Sequence, residues 1–266
     1  MSVTTTSAVP VATSRRRHLL KVRALQFLAL AAIVLAWLYG QGPGDVSPII
    51  LPNLFAVLEA FAGFLVSPEI YEAIAITMVE IFASLAIAGL LGFLIGFWGA
   101  RTELRSGVLE PLLVWGYLVP HVLFYPLIIL WFGIDTPSKI VYAASSAVFP
   151  IAFNCLRAFR RVDPRYIAVG RAYGASNRQM DWLIKLRASI PVAAAGLRIG
   201  AALSMVTVIV AEMLASTGGL GYLLKFYAQS FSTARSYAII LVVLLVVGVF
   251  QYAIKRLLPA NAEVIR

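Results

Sequence analysis

VDPRYIAVGRAYGASNRQMDWLIKLRASIP, Val162 to Pro191, is a polar, basic block inside a 266-residue chain that is otherwise strongly apolar. Its local chemistry predicts two short helices joined at a glycine. Asp163 suits an N-cap and Pro164 the first helical position, where a missing N–H costs nothing. Gly174 is placed to end that helix in the left-handed conformation. Ser176 and Gln179 then form an S-x-x-Q capping box that starts the second helix. On that helix Asp181 precedes Lys185 by one turn in the favourable order, while Met180, Leu183 and Ile184 gather on another face. Such a face needs a partner, either lipid headgroups or another protein.

Outward from the block, 61% of residues are apolar and only 13% charged. Soluble domains run near half and a quarter, so the composition defines an all-α integral membrane protein. Six runs approach the roughly 20 residues needed to cross the hydrocarbon. They cover Leu20–Tyr39, Ala73–Ala100, Val108–Phe132, Ile140–Phe159, Ile190–Ala215 and Tyr237–Ile254. The third carries Pro120 and Pro126 and is expected to be broken; broken helices are tolerated where they line a cavity. Between the first two runs, Leu54–Leu65 predicts a short interfacial helix. Residues 1–19 read as a disordered tail, 20–258 as the membrane domain and 259–266 as a short second tail.

Lysine and arginine distribute unevenly across this layout. With the N-terminus inside, eighteen of the 22 fall on the cytoplasmic side, and only Lys139, Lys225 and Arg235 fall outside. The positive-inside rule therefore supports both termini in the cytoplasm. It also accounts for the net charge of +10 without nucleic acid as a partner. Gly92 with Gly96, and Gly196 with Gly200, mark faces where helices approach closely.

Three ionisable groups fall at membrane depth: Glu80, Arg198 and Glu212. Arg198 reads as a residue that snorkels to the cytoplasmic surface. Glu80, Glu212 and His121 would carry protons in a secondary transporter, the competing class. Trp115, Tyr117 and His121 of the broken run, with Asn154 and Glu212, are the candidates for a translocation pathway. Cys155, the single cysteine, reads as inert packing. There is no phosphate-binding loop and no H-E-x-x-H, and His18 and His121 lie too far apart to suggest a metal site. Ser176 has no histidine nearby, so catalytic residues are not expected.

The block resembles the EAA loop of inner-membrane permeases from binding-protein-dependent ABC importers, whose pattern is E-A-A, three residues, G, nine residues, I-x-L-P. Anchored on Gly174, it places Ile184 and Leu186 on the pattern. Ala168 stands at the glutamate, Val169 and Gly170 at the alanines, and Arg187 at the proline. The wider chain is similar to the nitrate, sulfonate and taurine permease group through IILPNLFAVLEAF (Ile49 to Phe61), EPLLVWGYLVPHVLFYPLIILWFGIDTPSKI (Glu110 to Ile140) and GLRIGAALSMVTVIVAEMLASTGGLGYLL (Gly196 to Leu224).

The resemblance implies the six-span ABC importer permease fold in a bacterial inner membrane, with cytoplasmic coupling helices between spans four and five. The implied coupling residues are Asp163, Arg165, Ala168, Arg171, Gly174, Ala175, Ser176, Arg178, Ile184 and Leu186. Implied partners are a second permease copy, an ATPase dimer and an extracytoplasmic solute-binding protein. ATP and Mg would sit on the ATPase, with no cofactor on this chain. The implied substrate is a small organic or inorganic anion.

Overall fold

The computed structural model of the protein describes residues 11–258, with side chains from residue 21 onward. Residues 1–10 and 259–266, on which parts of both expected tails fall, lie outside the described residues. Among the described residues the regular structure is helical throughout. The chain divides into two compact units, residues 1–59 and 60–266.

In the first unit, α1 (Val11–Gln41) begins ahead of the apolar run read from Leu20. The segment that follows folds back on its end. The Pro52 carbonyl accepts hydrogen bonds from Trp37 Nε1 at 3.1 Å and from the Gln41 side-chain amide. The expected short helix appears as α2 (Leu54–Phe64), with Asn53 Oδ1 accepting from the Phe55 N–H at 2.8 Å.

The second unit contains α3 (Pro68–Gly99), α4 (Glu103–Leu118), a 3₁₀ turn (His121–Phe124) and α5 (Tyr125–Phe132). It continues with α6 (Thr136–Arg160), α7 (Pro164–Ala172), α8 (Asn177–Gln179) and a π-helical segment (Met180–Lys185). α9 (Leu186–Leu214), α10 (Leu220–Gln229) and α11 (Thr233–Leu257) complete it. Five stretches are long and apolar enough to cross a membrane, and the pair α4 and α5, bent by 77°, makes the sixth. The six-run reading thus holds, with the third span broken as expected.

Only Pro120 sits at that break. Pro126 lies in the first turn of α5, where its missing N–H costs no hydrogen bond. Pro111, Pro150 and Pro191 are all carried inside helices.

The second helix of the opening block is not short. From Asn177 through the π segment to Leu214 the helix is continuous across Pro191. At the π segment the Leu186 N–H donates to Asp181 O, one residue further back than in an α-helix. The local widening absorbs one extra residue and lets the amphipathic face of the block and the face of the span each point where they pack.

The core is α6 held between α3 and α9. Ile151, 2% exposed, is the residue on which all three meet. A Cβ on Gly92 would lie 2.7 Å from Ile151 Cγ2, and one on Gly200 would lie 2.5 Å from Ile151 Cδ1. At Gly96 a Cβ would come within 2.7 Å of the Ala152 carbonyl oxygen. The two small-residue pairs read from the sequence are therefore the contact faces of α3 and α9 with α6.

Replacing Gly96 with Leu must push α3 off the α6 backbone and is expected to cost about 1–3 kcal/mol, as overpacking does. Gly107 of α4, with nothing within 4 Å of its Cβ position, tolerates Ala. Thermal unfolding of both variants in detergent, read by circular dichroism, should lower the midpoint for Gly96→Leu and leave it nearly unchanged for Gly107→Ala.

Candidate functional site

The elbow forms as its residues dictate. Asp163 Oδ1 accepts from the Arg165 N–H at 2.8 Å, and the Arg165 side chain donates to Asp163 Oδ2 from Nε at 2.9 Å and Nη2 at 2.7 Å. These bonds hold the Asp163 carboxyl below the usual carboxylate range, so the cap is charged at neutral pH. They also tie up the Arg165 fork.

At its other end α7 closes in a Schellman turn. Gly174, at φ +73°, donates to Arg171 O at 2.9 Å, and Ala175 donates to Gly170 O at 3.0 Å. The capping box is present in both directions. Gln179 N donates to Ser176 Oγ at 3.3 Å, and Ser176 N donates to Gln179 Oε1 at 2.8 Å.

Gly170 explains one departure from the alanine pattern. It is buried, and a Cβ there would lie 2.3 Å from Ile184 Cδ1 and 3.0 Å from Met180 Cε. In this packing α7 rests on the π segment through a bare backbone. Beside that contact Val169, Tyr173 and Leu183 are each about half exposed or more. These line, with Tyr166 and Gly174, a concave surface of about 650 Å³. Ala168, Arg171 and Arg178 are also exposed. Leu186, by contrast, is partly buried against the α3–α6–α9 core, so it anchors the block rather than standing on its open face.

The same block is seated on the bundle by aromatic rings. Trp182 meets Phe97 of α3 at 5.3 Å between centroids, and Phe97 meets Phe159 of α6 edge-on at 5.1 Å. Beside them Arg157 bonds Glu110 at 2.7 Å, joining α6 to α4. Sequence reading passed over Trp182, because ring-on-ring packing between distant segments leaves no mark in spacing.

Of the pathway candidates, three gather around the end of α4. Phe149 of α6 packs where Gly116 has no side chain, a Cβ there meeting its ring at 2.1 Å, and His121 lies beside the same ring at 5.4 Å. Tyr117, next to Gly116, lines an open cavity of about 550 Å³ along α9. Asn154 donates to Pro150 O at 2.8 Å and packs against Gly196 of α9. Trp115 projects outward, 69% exposed.

Glu212 does not join this group. It is fully buried, accepting from Thr77 Oγ1 at 2.7 Å and from the Gly221 N–H at 2.7 Å. It therefore caps the first turn of α10 and clasps that helix to α3. Gly219, at φ +98°, clears the space, since a Cβ there would lie 2.0 Å from Glu212 Oε1. Glu80 is likewise committed. Its Oε1 lies 2.6 Å from Lys139 Nζ and accepts from Thr136 Oγ1 at 2.9 Å, while Lys139 also donates to Ser216 Oγ at 2.7 Å. Lys139 was read as lying in an outward-facing segment; it is 3% exposed inside the bundle. The two carboxylates that a proton-coupled carrier would use are thus holding α3, α6, α9 and α10 together.

Arg198 sits midway along α9 and lines the Tyr117 cavity. The block, the broken helix pair and this cavity all belong to a bundle of helices long and apolar enough to cross a membrane.

The comparisons agree. Residues 88–261 match the model of the binding-protein-dependent transport system inner membrane component, and the chain belongs to that family. It is 32% identical to SsuC of Escherichia coli (strain K12), named for aliphatic sulfonates transport, over 80% of both chains. It is 27% identical to the taurine transport system permease protein TauC of the same organism, over 88% of this chain and 89% of that one. Among solved structures, a chain of the inward-facing MetNI methionine ABC transporter superposes with a TM-score of 0.56 at 20% identity, covering 79% of this chain and 97% of the other. A chain of a bacterial ABC transporter involved in alginate import superposes at 0.57, with 15% identity, covering 91% and 99%. The architecture is the importer-permease fold.

Removing one partner of the Glu80–Lys139 pair strands the other charge in the bundle. Lys139→Met is expected to cost about 3–5 kcal/mol, and adding Glu80→Leu to recover part of that loss. Unfolding of the two singles and the double in one detergent checks the coupling.

Proposed function

We propose that this chain is the membrane permease of an ATP-driven importer for a small organic anion of the sulfonate or taurine type. Two copies enclose the pathway in a bacterial inner membrane, with both chain termini in the cytoplasm and residues 20–258 as the membrane domain. A separate ATPase dimer, carrying ATP and Mg, docks on Val162–Pro191, and a solute-binding protein delivers substrate on the opposite side.

The observation that carries this reading is mechanical. The concave face of the elbow is built in part on Gln179, Leu183 and Ile184, which belong to the same uninterrupted helix, Asn177 to Leu214, as most of the cavity wall. A partner that displaces the elbow therefore displaces the span. The capped ends of α7 and the αL glycine make the lever stiff, because the Arg165, Gly174 and Ala175 N–H groups at those ends are bonded. Coupling contacts fall to Ala168, Arg171, Ala175, Arg178 and Ile184, with Asp163, Arg165, Gly174 and Ser176 shaping the elbow and Leu186 anchoring it. Tyr117, His121, Asn154 and Trp115 serve the pathway, and Glu212 holds the α10 loop beside it. The sulfonate and taurine names of the relatives supply the substrate class.

Gly174→Leu places a side chain at φ +73°, which strains the turn. Its expected effect is loss of the phosphate-loop ATPase from affinity-purified complex, with the permease still folded. Uptake into vesicles by this chain alone, without ATP and collapsed by an uncoupler, would establish the proton-coupled alternative instead.

A further inference from the structure

We propose that Arg198 is the anion-binding group of the translocation pathway, gripping the oxyanion head of the substrate while the small side chains beside it receive the carbon portion. The inference rests on the permease reading above and names the chemistry of its pathway.

Glu80 and Arg198 lie well inside long helices of the second unit, and Lys139 and Glu212 are buried near helix ends. Glu80 and Lys139 bond each other, and Glu212 is bonded to Thr77 and Gly221. Arg198 differs. Among the described residues it has neither an ion-pair nor a hydrogen-bond partner, and no acidic side chain lines its cavity. At 1.5 Å per residue it stands roughly 18 Å from Leu186, too deep to be explained by the end of the helix. A cation at that depth is costly and is retained where it faces a pathway or a partner.

The surroundings describe an occupant. The groove holds about 550 Å³ and is widely open, so water and a small solute fit. Tyr117, about half exposed, is the one other polar side chain in the lining. Ala195, Ala202 and Val206 follow along α9 as a smooth apolar wall. A guanidinium presents a planar fork of donors that matches two oxygens of a sulfonate or carboxylate. An organic oxyanion with a short aliphatic part satisfies both the fork and the wall. A neutral solute leaves the guanidinium charge uncompensated, and a cationic one is repelled by it. Because Arg198 shares one continuous helix with the elbow, movement at the elbow also moves this charge, which offers a way to change its grip during the cycle.

The test reads the local charge directly. The full chain with Ala202→Cys, reconstituted in lipid nanodiscs, is treated in parallel with 2-sulfonatoethyl methanethiosulfonate, an anion, and its trimethylammonium counterpart, a cation. The parent chain with buried Cys155 sets the background. With Arg198 present the anionic reagent is expected to react faster relative to the same pair on a small free thiol. Arg198→Gln should lower that ratio about tenfold, and Arg198→Lys should keep most of it. Ethanesulfonate should slow the anionic reagent several-fold more than chloride at equal ionic strength.

A ratio showing no anion preference in the Arg198 chain overturns the proposal, and this arm needs no charge-removing variant to fold. So does a ratio unmoved in folded Arg198→Gln, equal slowing by chloride, or a cysteine at 202 that neither reagent reaches. The labelling requires no ATPase, so its failure is separate from loss of ATPase on Gly174→Leu.

Discussion

Everything in the second unit depends on how closely α6 can approach α3 and α9. Lipid offers helices no hydrophobic gain for associating, so contact must come from shape and from satisfied polar groups. Glycines at 92, 96, 196 and 200 remove the side chains that would hold the helices apart; Ile151 fills the space at Gly92 and Gly200, Cys155 that at Gly96 and Asn154 that at Gly196. With the backbones that close, polar groups can reach across. Glu80 meets Lys139 from α3 to α6, and Lys139 reaches Ser216 beyond α9. At the opposite end the same approach brings Phe97 and Phe159 together and seats Trp182 on them. One packing geometry thus positions a buried ion pair, an aromatic bearing and a cavity.

The continuous helix from Asn177 to Leu214 joins the polar block to that packing. The capping box fixes its start, the π segment rotates its face, and the span carries Arg198 into the cavity wall. Separate coupling and membrane helices would need a joint, and a joint would absorb motion. Here the one turn of irregular geometry is itself hydrogen-bonded, so it changes direction without a break in the rod. The glycine elbow lies on the other side of the capping box, leaving α7 and the rod to be displaced as two stiff arms.

Local chemistry was readable residue by residue. Asp163, Gly174, Ser176 and Gln179 do in the structure what their side chains do in short peptides, because caps and αL turns involve neighbours within a few positions. Pro120 marked the broken span for the same reason. What spacing hid was partnership across the bundle. Lys139 looked like a loop cation, Arg198 like a snorkelling one and Glu212 like a pathway carboxylate. The depth of Glu212 and Arg198 was visible in the sequence and that of Lys139 was not, and which of them would find a partner depended on helices far apart in the chain.

By itself, then, the sequence determined the membrane class, the six apolar runs, the elbow and the faces along which helices touch. Each follows from composition, period or a cap only a few residues long. The tertiary structure alone decided which buried charges are neutralised, that the second helix of the block and the fifth span are one rod, and that Arg198 lines a cavity with no partner among the described residues. Those outcomes turn on distances of 2.6 to 2.7 Å between α3, α6 and the loop after α9, and a sequence carries no such distances until the helices have packed.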